Sequence, residues 1–135
     1  MGIRTDLYAS FDYEIVDEFY DHYTMMIESM EIIIIDLSKE SMYKRSTNEL
    51  FRIFHNIKSA SGYLKITPMN RLSQFVEEFL DELRRRDEAV SENIVTWFLE
   101  ISDIFTQWLA DIKQDVQLTK VKYSLLKIPD LDEMT

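Results

Sequence analysis

Apolar residues recur every three or four positions along four long segments of this chain, and this spacing constrains the fold more than any other feature. Such spacing places apolar side chains on one face of an α-helix. We predict four helices at about 11–37, 47–64, 67–86 and 92–113, with Ser91 as the N-cap of the last one. Amphipathic helices joined by short connections favour an all-α, up-down antiparallel four-helix bundle.

Local signals place the starts of two of these helices. Ser46 and Glu49 have the spacing of a capping box at the start of the second helix, where Thr47 is a competing N-cap. Thr67 followed by Pro68 predicts the start of a third helix, with Thr67 as the N-cap residue and proline at the first helical position. No stretch alternates apolar and polar residues between turn residues, so strands are not expected.

The helices divide the chain into an N-terminal extension at 1–10, the bundle at 11–113 and a C-terminal tail at 114–135. Ile32 and Ile35 lie off the apolar stripe of the first helix, which predicts that a fifth element or a second copy of the chain covers them. The tail is apolar enough to fold back over this patch as an additional C-terminal element. The tail is equally compatible with a linker. The oligomeric state also stays open, as a monomer or a weak dimer.

The charge and composition argue against several classes of partner. A formal net charge of −10 repels nucleic-acid backbones and anionic membrane surfaces. The longest apolar run, 32–35, is far too short for a membrane span, and the N-terminus shows no secretion signal. Without cysteine, and with His22 predicted to pack against the core far from His55, we expect no metal site and no bound cofactor. We expect a soluble cytoplasmic protein.

His55 is the residue that carries most chemical information. On a helical wheel it falls almost opposite the apolar arc of its helix, and Lys58, Ser59 and Gly62 share its stripe. An outward imidazole with a nearby ammonium group and small neighbours is accessible to another macromolecule; an idle surface histidine is the alternative. Phe51, one turn earlier, is either an ordinary exposed residue or a docking anchor. Gly62 either lets a partner approach the backbone or marks an early helix end.

The pattern around His55 resembles the histidine-containing phosphotransfer (HPt) domain, most closely the N-terminal phosphoacceptor domain of chemotaxis histidine kinases. The resemblance extends over about 11–113. It rests on His55-x-x-Lys58-Ser59-x-x-Gly62, Asn48-x-x-Phe51-Arg52-x-x-His55, Glu77-x-x-x-Asp81-x-x-Arg84 and Phe98-Leu99-Glu100. Two positions depart from the family: Ser59 and Lys65 stand where glycine is frequent.

The resemblance implies a phosphorelay. In that family the histidine carries a phosphoryl group on Nε2, a glutamate on the next helix holds Nδ1–H, and a lysine lies near the phosphoryl group. His55, Glu77 and Lys58 occupy the matching positions. The implied partners are a histidine kinase and the receiver domain of a response regulator, which supplies Mg²⁺. This chain has no Gly-rich nucleotide-binding loop and no room for a kinase domain, so, if it is the whole protein, we expect it to receive phosphate from another protein.

Two other interpretations stay open. The chain is a phosphoacceptor module of a larger chemotaxis kinase, with the same chemistry. Alternatively, it is a helical interaction protein without chemistry that binds partners through Phe51 or through Ile32 and Ile35, with His55 incidental. A hydrolase is less favoured because no oxyanion site is recognisable.

Overall fold

The computed structural model describes residues 2–129, and all regular secondary structure among them is helical. No helix in this range is both long enough and apolar enough to cross a membrane. The four long helices form an antiparallel bundle, so the predicted all-α fold is confirmed. The helices are α1 (Ile3–Ser10), α2 (Tyr13–Ile35), α3 (Tyr43–Tyr63), α4 (Thr67–Leu83) and α5 (Glu92–Gln114), with 3-10 turns at Asp36–Ser38 and Tyr123–Leu126.

Hydrogen bonds at the helix ends establish the antiparallel order. The N–H of Val90 donates to the carbonyl of Leu37 at 3.3 Å, which places the start of α5 beside the end of α2. The Tyr43 hydroxyl, at the start of α3, donates to the carbonyl of Leu83, at the end of α4, at 2.7 Å. Helices α3 and α4 share the most extensive contact of any pair of elements in the described range. The functional residues predicted on these two helices therefore lie on adjacent elements.

The core is rich in aromatic rings that connect the helices. Phe54 of α3 meets Phe105 of α5 edge to face, with ring centroids 5.2 Å apart. Phe79 of α4 meets Trp97 of α5 in the same way at 5.3 Å. Tyr23 of α2 is fully buried, and its hydroxyl donates to the carbonyl of Phe105 at 2.6 Å, so that polar group is satisfied. These ring contacts pack both α3 and α4 against α5.

Helix α3 begins one turn earlier than the capping signals predict, and those N-cap assignments are wrong. Ser46 and Thr47 are buried inside the helix, and the Thr47 hydroxyl donates to the carbonyl of Tyr43 at 2.8 Å. The extra turn forms because Tyr43 is buried and its hydroxyl bridges to the end of α4. This tertiary contact outweighs the local capping preference.

The N-terminal segment forms a helix that the sequence analysis does not predict. The backbone N–H of Ile3 donates to the carbonyl of Val116 at 3.2 Å, and the N–H of Thr5 donates to Oδ1 of Asp115 at 2.9 Å. A Cβ on Gly2 would lie 2.2 Å from the carbonyl oxygen of Asp115, so only glycine fits there. Helix α1 thus lies against the end of α5.

The tail packs over the described range 116–129 and is no free linker there. The indole N–H of Trp97 donates to the carbonyl of Leu125 at 3.0 Å, and the Leu125 side chain is buried. The segment runs along α5 and does not reach the apolar patch of α2. Leu131 and the rest of 130–135 lie outside the described residues.

The apolar patch on α2 is exposed. Ile32 is 69% exposed and Ile35 is 44% exposed. We expected a fifth element or a second copy of the chain to cover them, and no element among residues 2–129 does so. His22 is also exposed, and the prediction that it packs against the core is wrong. The physical reason is that α3 and α5 bury only a narrow stripe of α2, which includes Tyr23 and Ile27.

Candidate functional site

His55 lies on the outer face of α3 with its ring open to solvent. Its side chain is 53% exposed, whereas its neighbours Phe54 and Ile57 are fully buried. The amphipathic pattern of α3 therefore turns the imidazole outward, in the direction that the helical wheel predicts. The ring is accessible to a protein that approaches this side of the bundle.

The carboxylate of Glu77 lies between His55 and Lys58. Its Oε2 is 2.7 Å from Nδ1 of His55, and its Oε1 accepts a hydrogen bond from Nζ of Lys58, also at 2.7 Å. The Glu77 side chain is only 12% exposed, and that of Lys58 is 28% exposed. The structure thus brings together the three residues for which the family resemblance implies a chemical role, on two adjacent helices.

The ionisation of Glu77 determines which nitrogen of His55 carries a proton. Burial alone would raise the pKa of Glu77, but hydrogen bonds from Lys58 and His55 outweigh burial and leave that pKa below its ordinary value. An ionised carboxylate only accepts hydrogen bonds, so Nδ1 of His55 must be the donor. In the neutral ring, Nε2 then keeps its lone pair, which makes it a nucleophile.

Phe51 packs beside His55 and against a cation from α4's end. The two ring planes are 11° apart, with centroids separated by 6.2 Å. The guanidinium carbon of Arg84 lies 4.1 Å from the centroid of Phe51. Sequence reasoning gave Arg84 no role at the site. The predicted antiparallel arrangement of the second and third helices could have indicated this contact. In that arrangement the segment after Glu77 runs back along the helix that carries Phe51.

Ser59 and Gly62 are both exposed on α3. A Cβ on Gly62 would lie 3.0 Å from Nδ2 of Asn70 on α4, and that amide donates to the carbonyl of Lys58 at 2.8 Å. Glycine therefore leaves room for a bridge between α3 and α4. Its use by an approaching partner, like that of Ser59, stays a prediction.

Lys65 ends α3 in a conformation that favours glycine. Its φ of 58° lies in the left-handed region, at the position where glycine is frequent in the HPt family. The N–H of Ile66 donates to the carbonyl of Ser61 at 2.8 Å, which closes the helix end in the usual way. The departure from the family pattern therefore leaves the helix end intact.

Comparisons with known proteins identify a family and several relatives whose sequences are similar to this chain. The family model of the Hpt domain matches residues 14–117. The chain is 32% identical over 91 residues to chemotaxis protein CheA of Salmonella typhimurium, covering 67% of this chain and 14% of that protein. It is 26% identical over 99 residues to chemotaxis protein CheA of Klebsiella aerogenes, covering 73% of this chain and 15% of that protein. The chain thus spans about a seventh of these relatives' length, and no solved structure matches it at a significant level.

Proposed function

The chain belongs to the family of Hpt domains, and from this premise we propose that it carries a phosphoryl group on His55 in two-component signalling. The observation that carries the proposal is the 2.7 Å contact between Nδ1 of His55 and Glu77, on a ring that is 53% exposed. One nitrogen is held, and the other makes no hydrogen bond to any residue in the described range. That is what a nucleophile needs when its substrate is part of another protein.

The phosphotransfer step uses the lone pair of Nε2. This pair forms the N–P bond while the bond from phosphorus to the donor oxygen breaks, and the donor leaves with that electron pair. Because Nδ1 keeps its proton, the ring gains positive charge, and the ionised Glu77 stabilises it. The ammonium group of Lys58, which is bound to the same carboxylate, offsets the negative charge of the phosphoryl group. The reverse step delivers phosphate to an aspartate.

The partners in this proposal are a histidine kinase and the receiver domain of a response regulator. The receiver supplies the accepting aspartate and Mg²⁺, and this chain binds no cofactor of its own. Phe51, Ser59 and Gly62 lie on the same side of α3 as His55 and belong to the surface that meets the partner. We place the reaction in the cytoplasm and expect a monomer or a weak dimer. The proposal covers the phosphoacceptor step alone, since the chain corresponds to a small part of its relatives.

The experiment measures phosphate uptake on histidine. The chain is incubated with a phosphorylated receiver domain, or with a histidine kinase and labelled ATP, and the product is tested for acid-labile, base-stable label. We expect His55→Gln to take up none. His22→Gln is the matched control, because His22 is also exposed but lies on α2. Label on His55→Gln would refute the assignment. Partner binding without any phosphotransfer would favour the interaction protein instead.

A further inference from the structure

We infer that Phe51 and Arg84 act together as positioning residues that hold the imidazole of His55 in the orientation needed for phosphotransfer. The inference rests on the proposed function and adds to it a second constraint on the ring, independent of Glu77. It concerns neither the proton on Nδ1 nor the charge of the phosphoryl group.

The hydrogen bond to Glu77 restrains the ring of His55 but does not lock it. Because the carboxylate ends a flexible side chain, it can follow Nδ1 when the two side-chain torsions of His55 change, and such a change moves Nε2. The neighbouring ring of Phe51 limits this movement, since the two planes are only 11° apart and their centroids are 6.2 Å apart. Both rings belong to α3 and stand one turn apart, so the packing needs no change in the backbone.

Phe51 in turn needs a partner to stay in place. It is half-buried on the outer face of α3, where an aromatic ring has other rotamers within reach. The guanidinium group of Arg84 lies over its face at 4.1 Å, a distance at which a cation attracts the ring quadrupole. Arg84 is itself near Asp81, with Nη1 and Oδ1 at 3.9 Å. A chain of contacts thus runs from the end of α4 through Phe51 to His55.

Misplacement of a reacting atom slows a reaction even when every chemical group is present. We expect Arg84→Ala and Phe51→Leu each to lower the rate of phosphate uptake by about 3- to 10-fold. Because the two residues form one chain of contacts, the double variant should be no slower than the slower single variant. Phe51→Tyr keeps the ring, so it should lower the rate less than Phe51→Leu does.

The matched control is Arg85→Ala. Arg85 is the next residue, is 77% exposed and also binds Asp81, at 3.0 Å, so its replacement removes the same charge beside the same partner. It has no contact with Phe51 among those described. Uptake by Arg85→Ala should equal that of the wild type, and thermal unfolding checks that each variant is folded.

A second measurement separates positioning from general stability. Nitrogen-15 NMR of the imidazole should show the Nδ1–H tautomer unchanged in Arg84→Ala, because Glu77 is intact, while side-chain relaxation shows a more mobile ring. If the wild type takes up label and both Arg84→Ala and Phe51→Leu do so at the wild-type rate, the inference is overturned and the proposed function stands. A wild-type chain that takes up no label would overturn the proposed function and the inference with it.

Discussion

Glu77 on α4 and Asp111 on α5 are both largely buried carboxylates whose pKa lies below its ordinary value. In each, burial alone would raise the pKa, and hydrogen bonds outweigh burial. The donors to Glu77 are the side chains of Lys58 and His55. The donors to Asp111 include the backbone N–H and the hydroxyl of Thr119, at 2.7 and 2.8 Å.

The difference lies in what the donors can still do. Thr119 uses its N–H and its hydroxyl on Asp111, and its carbonyl accepts a hydrogen bond from the indole of Trp108 at 2.8 Å. Gln107 donates to the other oxygen of Asp111 at 3.1 Å, so both oxygens have partners, and the network fixes the tail to α5. At Glu77, His55 uses Nδ1, and Nε2 has no hydrogen bond to the residues that the structure describes, on a side chain that is 53% exposed. A buried carboxylate thus supports chemistry when one of its donors keeps a nucleophilic atom, and supports structure when none does.

The largest effect that tests this comparison is on the rate of phosphate uptake in Glu77→Gln. Glutamine has one acceptor oxygen where Glu77 offers two, to His55 and to Lys58, so its NH2 group can donate to Nδ1 and the Nδ1–H tautomer is no longer enforced. The neutral amide also gives little stabilisation to the positive charge that the ring gains. We expect the rate to fall on the order of 10²-fold. The measurement is the initial rate of acid-labile labelling with one phosphorylated receiver. A rate within about 2-fold of the wild type would remove Glu77 from the mechanism and erase the distinction between the two carboxylates.

For Asp111→Asn we expect lower stability and an unchanged rate of phosphate uptake, in contrast to Glu77→Gln. In asparagine, the amide oxygen can replace Oδ2 and accept both hydrogen bonds from Thr119, but the negative charge that strengthens these bonds is lost. The amide nitrogen then faces Nε2 of Gln107, which is another donor, in a site with only 4% exposure. We expect the free energy of unfolding to fall by about 2 kcal/mol, measured by urea denaturation with tryptophan fluorescence. Phosphate uptake should stay at the wild-type rate, since the hydrogen-bond partners described for the Asp111 side chain lie on α5 and the tail and not on α3 or α4.

The pH dependence of the unfolding free energy tests whether the ionised form of Asp111 stabilises the fold. Because its pKa in the fold is lowered from about 3.8, the ionised form stabilises the fold above that value, and this contribution is lost as the pH falls through the folded pKa. The difference in unfolding free energy between wild type and Asp111→Asn should therefore be constant near neutrality and shrink below pH 3.8. A difference that grows on acidification would contradict the network described for Asp111.

The sequence predicts the Glu77 side of this comparison better than the Asp111 side, for a physical reason. His55 and Lys58 are three residues apart on one helix, so helical geometry alone places them together. Glu77 lies on the next helix, and only the family resemblance connected it to His55. Asp111 binds Thr119 in a tail without helical periodicity, so no pattern in the sequence indicates that contact.

The same limit explains the errors at helix boundaries. Thr47 is a good N-cap by local preference, yet α3 begins at Tyr43 because the hydroxyl of Tyr43 reaches the carbonyls of Leu83 and Arg86, at 2.7 and 2.5 Å. Periodicity predicts which face of a helix is buried. It contains no information about single long-range hydrogen bonds, which decide where α3 starts and where the tail lies.

The smallest effect concerns Gly62. The question is whether a larger side chain is excluded there by a contact within the bundle, as at Asp111, or by a partner protein, as we propose for the surface around His55. Alanine favours a helix over glycine by about 1 kcal/mol. The new Cβ, however, would lie 3.0 Å from Nδ2 of Asn70 and displace the amide from the carbonyl of Lys58, which costs about 1 kcal/mol. We expect Gly62→Ala to change the free energy of unfolding by less than about 0.5 kcal/mol.

Gly62→Ala is also made in the Asn70→Ala variant, to separate the contact with Asn70 from contact with a partner. Without the amide, Gly62→Ala should gain about 0.5 to 1 kcal/mol, and this double-mutant cycle measures the coupling across α3 and α4. If phosphate uptake by Gly62→Ala equals that of the wild type, Asn70 alone explains the glycine. If uptake falls while stability does not, a partner approaches the α3 backbone at this position, and Gly62 belongs with His55 on the surface that the partner contacts.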